Sequence, residues 1–147
     1  MRRLLCTLAL SLAGLSLHGT APAQTAPADD GVYQAFGRKA GIQALMEDFF
    51  VRLQADPRTG PFFKDANRAH LVEQLTDQLC VEAGGPCVYR GVEMALAHRD
   101  LNIARKDFNA LVEVLQQSMD AKGIPFRVQN RLLARLAPMH RDIVTAD

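Results

Sequence analysis

The chain contains no tryptophan, two tyrosines and only 6% aromatic residues, so little of it reads as aromatic, β-branched strand alternation. Charge of one sign is also missing. Seventeen Lys and Arg stand against sixteen Asp and Glu, which leaves no field to draw in nucleic acid or an anionic membrane surface. There is no Gly-rich phosphate loop and no Gly-x-Ser-x-Gly elbow. No second His or Cys stands near His98 at metal-ligand spacing, which argues against zinc. No Cys-x-x-Cys-His run is present, which excludes c-type haem attachment.

One apolar run exists, and it is short. Arg2 and Arg3 precede an almost wholly apolar stretch from Leu4 to Leu17, at ~14 residues too short to span a bilayer. Ala21-Pro22-Ala23 is a small-x-small cleavage pattern. Residues 1–23 are therefore expected to be a secretory signal peptide cut near Ala23/Gln24, with an uncleaved anchor as the competing reading. Export is expected, to the periplasm if the source is a Gram-negative bacterium, with no stable membrane association after cleavage. Cys6 and His18 leave with the peptide, and the remaining chain carries 15 basic against 16 acidic residues. Residues 24–30 form a Pro/Ala-rich, flexible lead-in, and residues 31–147 a single domain.

Cys80 and Cys87 remain. In an exported protein an even pair suggests a disulfide, and Gly84-Gly85-Pro86 between them turns the chain sharply enough to close it. Two buried free thiols are the alternative.

Helical periodicity dominates. Ile42, Leu45, Met46, Phe49, Phe50 and Leu53 make one wide apolar stripe, ended by Asp56-Pro57. Residues 56–67 read as a compact turn region holding Phe62 and Phe63. Asn67 is placed to cap a helix to about Glu82, with Leu71, Leu75 and Leu79 on one face. Phe108, Leu111, Val112, Leu115 and Met119 form a third stripe, broken at Gly123-Ile124-Pro125. Val128, Leu132, Leu133, Leu136 and Ile143 form the fourth, with Pro138 expected to kink its end. Short helical pieces are expected near 32–36 and 91–98. The fold class is all-α, and bundled helices build cofactor sites from facing side chains.

The most informative stretch is Gly84-Gly85-Pro86-Cys87-Val88-Tyr89-Arg90-Gly91, followed by Met94 and His98. A lone helical His is more often surface or satisfied core than ligand. Here, however, Gly-Gly-Pro, Tyr, Gly, Met and His recur at the spacing of the proximal region of the group I truncated haemoglobins. The resemblance extends over 31–144. Val32-Tyr33-Gln34-Ala35-Phe36-Gly37 resembles the family's opening, Glu47-Asp48-Phe49-Phe50 and Pro61-Phe62-Phe63 follow, and Leu136-Ala137-Pro138 resembles its tail.

The resemblance implies a two-over-two globin sandwich around one haem b per chain, with His98 as the proximal iron ligand. It implies that Phe63 packs on the porphyrin and that Met94, Ile103 and Phe108 wall it. Leu71 begins the distal row, 27 residues before His98. Tyr89 either donates to a haem propionate or bonds backbone. The implied function is reversible binding of dioxygen, nitric oxide and carbon monoxide. A nitric oxide dioxygenase-type enzyme is the first alternative and an exported haem-free interaction module the second. No reductase is indicated.

Three departures stand out. Gly37-Arg38 replaces a frequent Gly-Gly pair. Phe50 stands where many members place a distal Tyr, and Leu71 and Leu75 occupy positions that are often polar. The sixth site is therefore expected to be dry and apolar, kept so by Phe49, Phe50, Phe63, Leu71, Leu75 and Leu79. Such a site disfavours dioxygen, which draws partial negative charge and needs a donor. Gln74 and Gln78 read either as inward-swinging donors or as a helix flank. His70 is rotated ~100° from the Leu71 face, and His140 reads as surface.

Overall fold

The structure, a computed structural model, describes residues 31–146. The described residues are helical with no strand, and among them no helix is long and apolar enough to cross a membrane. In chain order the helices are α1 (Val32–Ala35), α2 (Arg38–Ala55), α3 (Gly60–Phe63), α4 (Arg68–Glu82), α5 (Met94–His98), α6 (Arg105–Ala121), α7 (Phe126–Leu136) and α8 (His140–Ile143). A 3₁₀ turn, Ala137–Met139, joins α7 to α8.

The core forms where α2 packs against α4 and α6. All six stripe residues of α2, Ile42 through Leu53, are buried. From α4 the core receives Val72, Thr76, Leu79 and Cys80, a row rotated from the expected Leu71–Leu75–Leu79 line. Leu71 and Leu75 are half-buried and pack at the edge of the core. On α6 the buried face is Ala110, Val114, Leu115, Ser118 and Met119, so Val112 stays outside it. Leu132 of α7 is fully buried, with Val128, Leu133 and Leu136 packed around it.

Ends of helices follow from local chemistry. Asn67 caps α4, its side-chain oxygen accepting from His70 N–H at 3.1 Å. Asp56 ends α2, and the turn after it rewinds into α3, a helix where a turn was expected. Its geometry is held by Thr59 Oγ1 donating to Leu53 O at 2.7 Å. Pro138 interrupts the last turns as expected, with a 3₁₀ turn between α7 and α8.

At the end of α4, Gly84 takes φ 82°. Gly84 N–H donates to Val81 O (2.9 Å) and Gly85 N–H to Cys80 O (2.8 Å), the paired closure of a left-handed helix terminus. A Cβ on Gly85 would collide with the Tyr33 ring and with Cys80 Sγ. The turn delivers Cys87 back to Cys80, and the two form a disulfide with Cα atoms 5.8 Å apart. Free thiols are thereby excluded, and the loop leading to α5 is tied to the buried face of α4.

Candidate functional site

His98 is the last residue of α5 and is half-buried. Its Nδ1 lies 2.8 Å from the carbonyl oxygen of Met94, one turn earlier. A carbonyl can only accept, so Nδ1 is the donor, and the neutral tautomer that makes this bond has its lone pair on Nε2. That is the tautomer a metal-ligating imidazole needs, with its other nitrogen anchored.

Two spaces adjoin α5. The first, a cavity of about 90 Å³, is lined by His98, Phe63, Ile103 and Phe108 together with Phe62, Leu111 and Ile143. Four sequence-derived site residues therefore converge: α3 supplies Phe63, α5 His98, α6 Phe108, and the α5–α6 link Ile103. The second is an open groove of about 400 Å³ lined by Tyr89, Met94, Gln78 and Met139, with Glu82, Glu93 and Asp142 also on its wall. Burial raises the Tyr89 hydroxyl and the Glu82 carboxyl above their ordinary pKa values, with Arg135 pulling Glu82 partly back.

Other expected positions sit differently. Phe50 is 1% exposed and belongs to the main core, with the Arg68 guanidinium 6.0 Å from its ring centre. Leu71 and Leu75 line neither space. Tyr89 donates its hydroxyl to Val92 O at 3.0 Å, the backbone-bonded reading of that residue. His70 is exposed. His140, expected at the surface, is half-buried, its ring edge-on to Phe108 with centroids 4.9 Å apart.

Gln78 changes the chemistry of the site. It is 8% exposed, not a solvated flank. Its Nε2 meets two thioethers, Met94 Sδ at 3.6 Å and Met139 Sδ at 3.5 Å. Gln74 Oε1, one turn earlier, is buried without a hydrogen-bond partner. Residues 71, 74, 75 and 78 share the i, i+3, i+4, i+7 face of α4. That spacing was the signal for Gln78, but leucines at 71 and 75 masked it. Met139 gave none, because Pro138 breaks the helical period there.

The residues fit a haem. One imidazole stands at a largely aromatic and aliphatic cavity, and α4 carries a buried amide oxygen, Gln74 Oε1, with no hydrogen-bond partner. Among the described residues, no group of three or more His, Cys, Asp or Glu could hold a metal ion by itself. A metal ion held by His98 would need a macrocycle to supply its other ligands.

An imidazole at a helix end, walled by Phe and Ile in a two-over-two helical sandwich, defines a truncated globin. The profile of the bacterial-like globin family matches residues 31–145, and the chain belongs to that family. A group 1 truncated hemoglobin of Tetrahymena thermophila is 32% identical over 93 residues, spanning 63% of this chain and 77% of the relative. Its counterpart in Tetrahymena pyriformis is 28% identical over 113 residues, 77% of this chain and 93% of the relative. A solved truncated hemoglobin of Tetrahymena pyriformis, in an Fe(III) form, superposes with a TM-score of 0.75 at 28% identity, covering 78% of this chain and 98% of that one. The protein is thus a haem globin that binds diatomic ligands such as dioxygen.

Proposed function

We propose that His98 Nε2 is the proximal ligand of one non-covalently held haem b per chain, and that the protein binds dioxygen, nitric oxide and carbon monoxide reversibly. The observation that carries this is the 2.8 Å contact of His98 Nδ1 with Met94 O, in the cavity walled by Phe63, Ile103 and Phe108. Haem, when bound, supplies the iron at which a diatomic ligand is taken up. The chain's own residues do the rest. His98 gives its lone pair and keeps one orientation, because rotation would break the bond to Met94 O. Phe63, Ile103 and Phe108 exclude water, which slows oxidation and loss of the cofactor. Gln78 brings an amide to the neighbouring groove beside Met94.

Purified protein reconstituted with haemin should show a Soret band near 400 nm, as haem proteins do. His98→Gly should lose the cofactor on gel filtration and recover it when imidazole is added. Haem content in His98→Gly equal to wild type would overturn the assignment.

Export to the periplasm belongs to the same proposal. Residues 1–23 and 24–30 lie outside the described residues. The Cys80–Cys87 disulfide supports an oxidising compartment. The exported protein should begin at Gln24 by N-terminal mass analysis, and retention of Met1 in an extracytoplasmic fraction would contradict this.

A further inference from the structure

The backbone beyond His98 is held from outside its own helix. Leu101 N–H donates to His98 O at 3.1 Å, closing a turn, and Asn102 takes a left-handed φ of 51°. Ile103, 8% exposed, then stands beside His98 in the cavity. Both of its main-chain polar groups go to the C-terminal segment. Ile103 N–H donates to Thr145 Oγ1 at 3.0 Å. Ile103 O accepts from the N–H groups of Thr145 and Ala146, each at 2.9 Å. The same segment puts Ile143 into the cavity wall and packs His140 edge-on to Phe108.

α5 cannot supply this anchorage. It is 5 residues long, has no buried residue and has no side-chain cap. The bond from Nδ1 to Met94 O sets the rotation of the imidazole relative to α5. It does not set where α5 ends. That position is fixed through Ile103. Main-chain pairing by Thr145 and Ala146 is open to any residue type except proline. The Thr145 hydroxyl is different, because it is the acceptor for a partly buried N–H.

We infer that Thr145 is a positioning residue for the His98 imidazole: its hydroxyl pins Ile103 and so sets the depth at which His98 meets the cofactor. This rests on the reading of His98 as the iron ligand. A hydroxyl at residue 145 is required, and a methyl of the same size cannot replace it.

The test uses the haem-loaded protein with Thr145→Val, which keeps the shape and loses the acceptor, and Thr145→Ser, which keeps the acceptor. Two quantities are read: the rate of haem transfer to excess apomyoglobin, and the iron–histidine stretching band of the ferrous protein by resonance Raman. The band reports imidazole placement and is insensitive to global stability. Thr145→Val should lose haem about tenfold faster, 1.4 kcal/mol, with a shifted or broadened band, and Thr145→Ser should restore both. Wild-type haem loss and an unshifted band in Thr145→Val would overturn the inference. So would faster haem loss with an unshifted band, which marks a merely structural tail. A wild type that shows no Soret band would bring down the His98 reading first, before any variant is compared.

Discussion

Gln78 and Met94 touch across the site: the amide nitrogen on α4 lies 3.6 Å from the thioether sulfur one turn before His98 on α5. Sulfur is a weak acceptor, so the contact leaves a buried amide donor undersatisfied. Replacing it with a somewhat shorter side chain that has no polar atom should relieve that cost in the haem-free protein. Gln78→Leu should raise apoprotein stability by about 1 kcal/mol in denaturant unfolding. If the same amide serves a polar ligand in the loaded protein, dioxygen release should quicken about tenfold with little change for carbon monoxide. An unchanged dioxygen rate would limit Gln78 to packing.

The buried face of α2 was legible in the sequence, because apolar residues there recur without interruption from Ile42 to Leu53. So was the Asn67 cap, whose chemistry is local. His98 was legible through the motif around Gly84-Gly85-Pro86, Met94 and His98 itself, not through periodicity. The faces of α4 were less so. Its core row runs through Thr76 and Cys80, and the leucines at 71 and 75 line the outer edge, so hydrophobicity alone rotated the helix by about one residue step. The role of the C-terminal segment could not be read at all, because Thr145 meets the Ile103 backbone, with its hydroxyl and its own N–H, across 42 positions of sequence.

The Cys80–Cys87 bridge anchors a loop that has little else to hold it. Closing a loop of this length contributes roughly 2.5 kcal/mol on the chain-entropy model. Intact mass should lie about two daltons below that of the reduced chain, the loss of two hydrogens. The double variant Cys80→Ser/Cys87→Ser should unfold at lower denaturant and lose haem faster, since the loop carries Tyr89 toward α5. Equal haem retention with and without reductant would show that the bridge stabilises the fold without reaching the site.

The turn that leads to Phe63 is fastened by charge. Arg58 reaches Asp56 Oδ2 at 2.8 Å and Glu113 Oε2 at 2.6 Å, tying the turn to α6. The Arg58 guanidinium holds the Asp56 carboxyl down to about 2. A carboxylate depressed in the folded state adds stability that is complete above the unfolded value, roughly 3.9. That stability is lost as pH falls through the folded value. Wild-type stability should therefore drop between about pH 4 and pH 2. Arg58→Ala should flatten the part of that drop owed to Asp56. An identical acid transition in the two proteins would show that this carboxylate does not couple to folding.

Phe50 offers the sharpest test of the distal wall. It is 1% exposed and packed in the core, so an added hydroxyl is taken out of water into an apolar cluster. In the haem-free protein Phe50→Tyr should therefore cost about 1–3 kcal/mol, the penalty for an unsatisfied buried hydroxyl. In the loaded protein the same hydroxyl gains an acceptor if residue 50 faces the ligand. A hydrogen bond to a charge-bearing group contributes roughly 1.5–3 kcal/mol, which slows dioxygen release by about ten- to a hundredfold. Carbon monoxide is less polar and should be released at nearly the wild-type rate. The two effects must then be opposite in sign: a weaker apoprotein and a tighter dioxygen complex from one oxygen atom. Stopped-flow release rates and apoprotein unfolding, measured on the same variant, separate the possibilities. A destabilised apoprotein with unchanged dioxygen release would place Phe50 in the core alone and turn the search for a donor to Gln74 and Gln78 of α4.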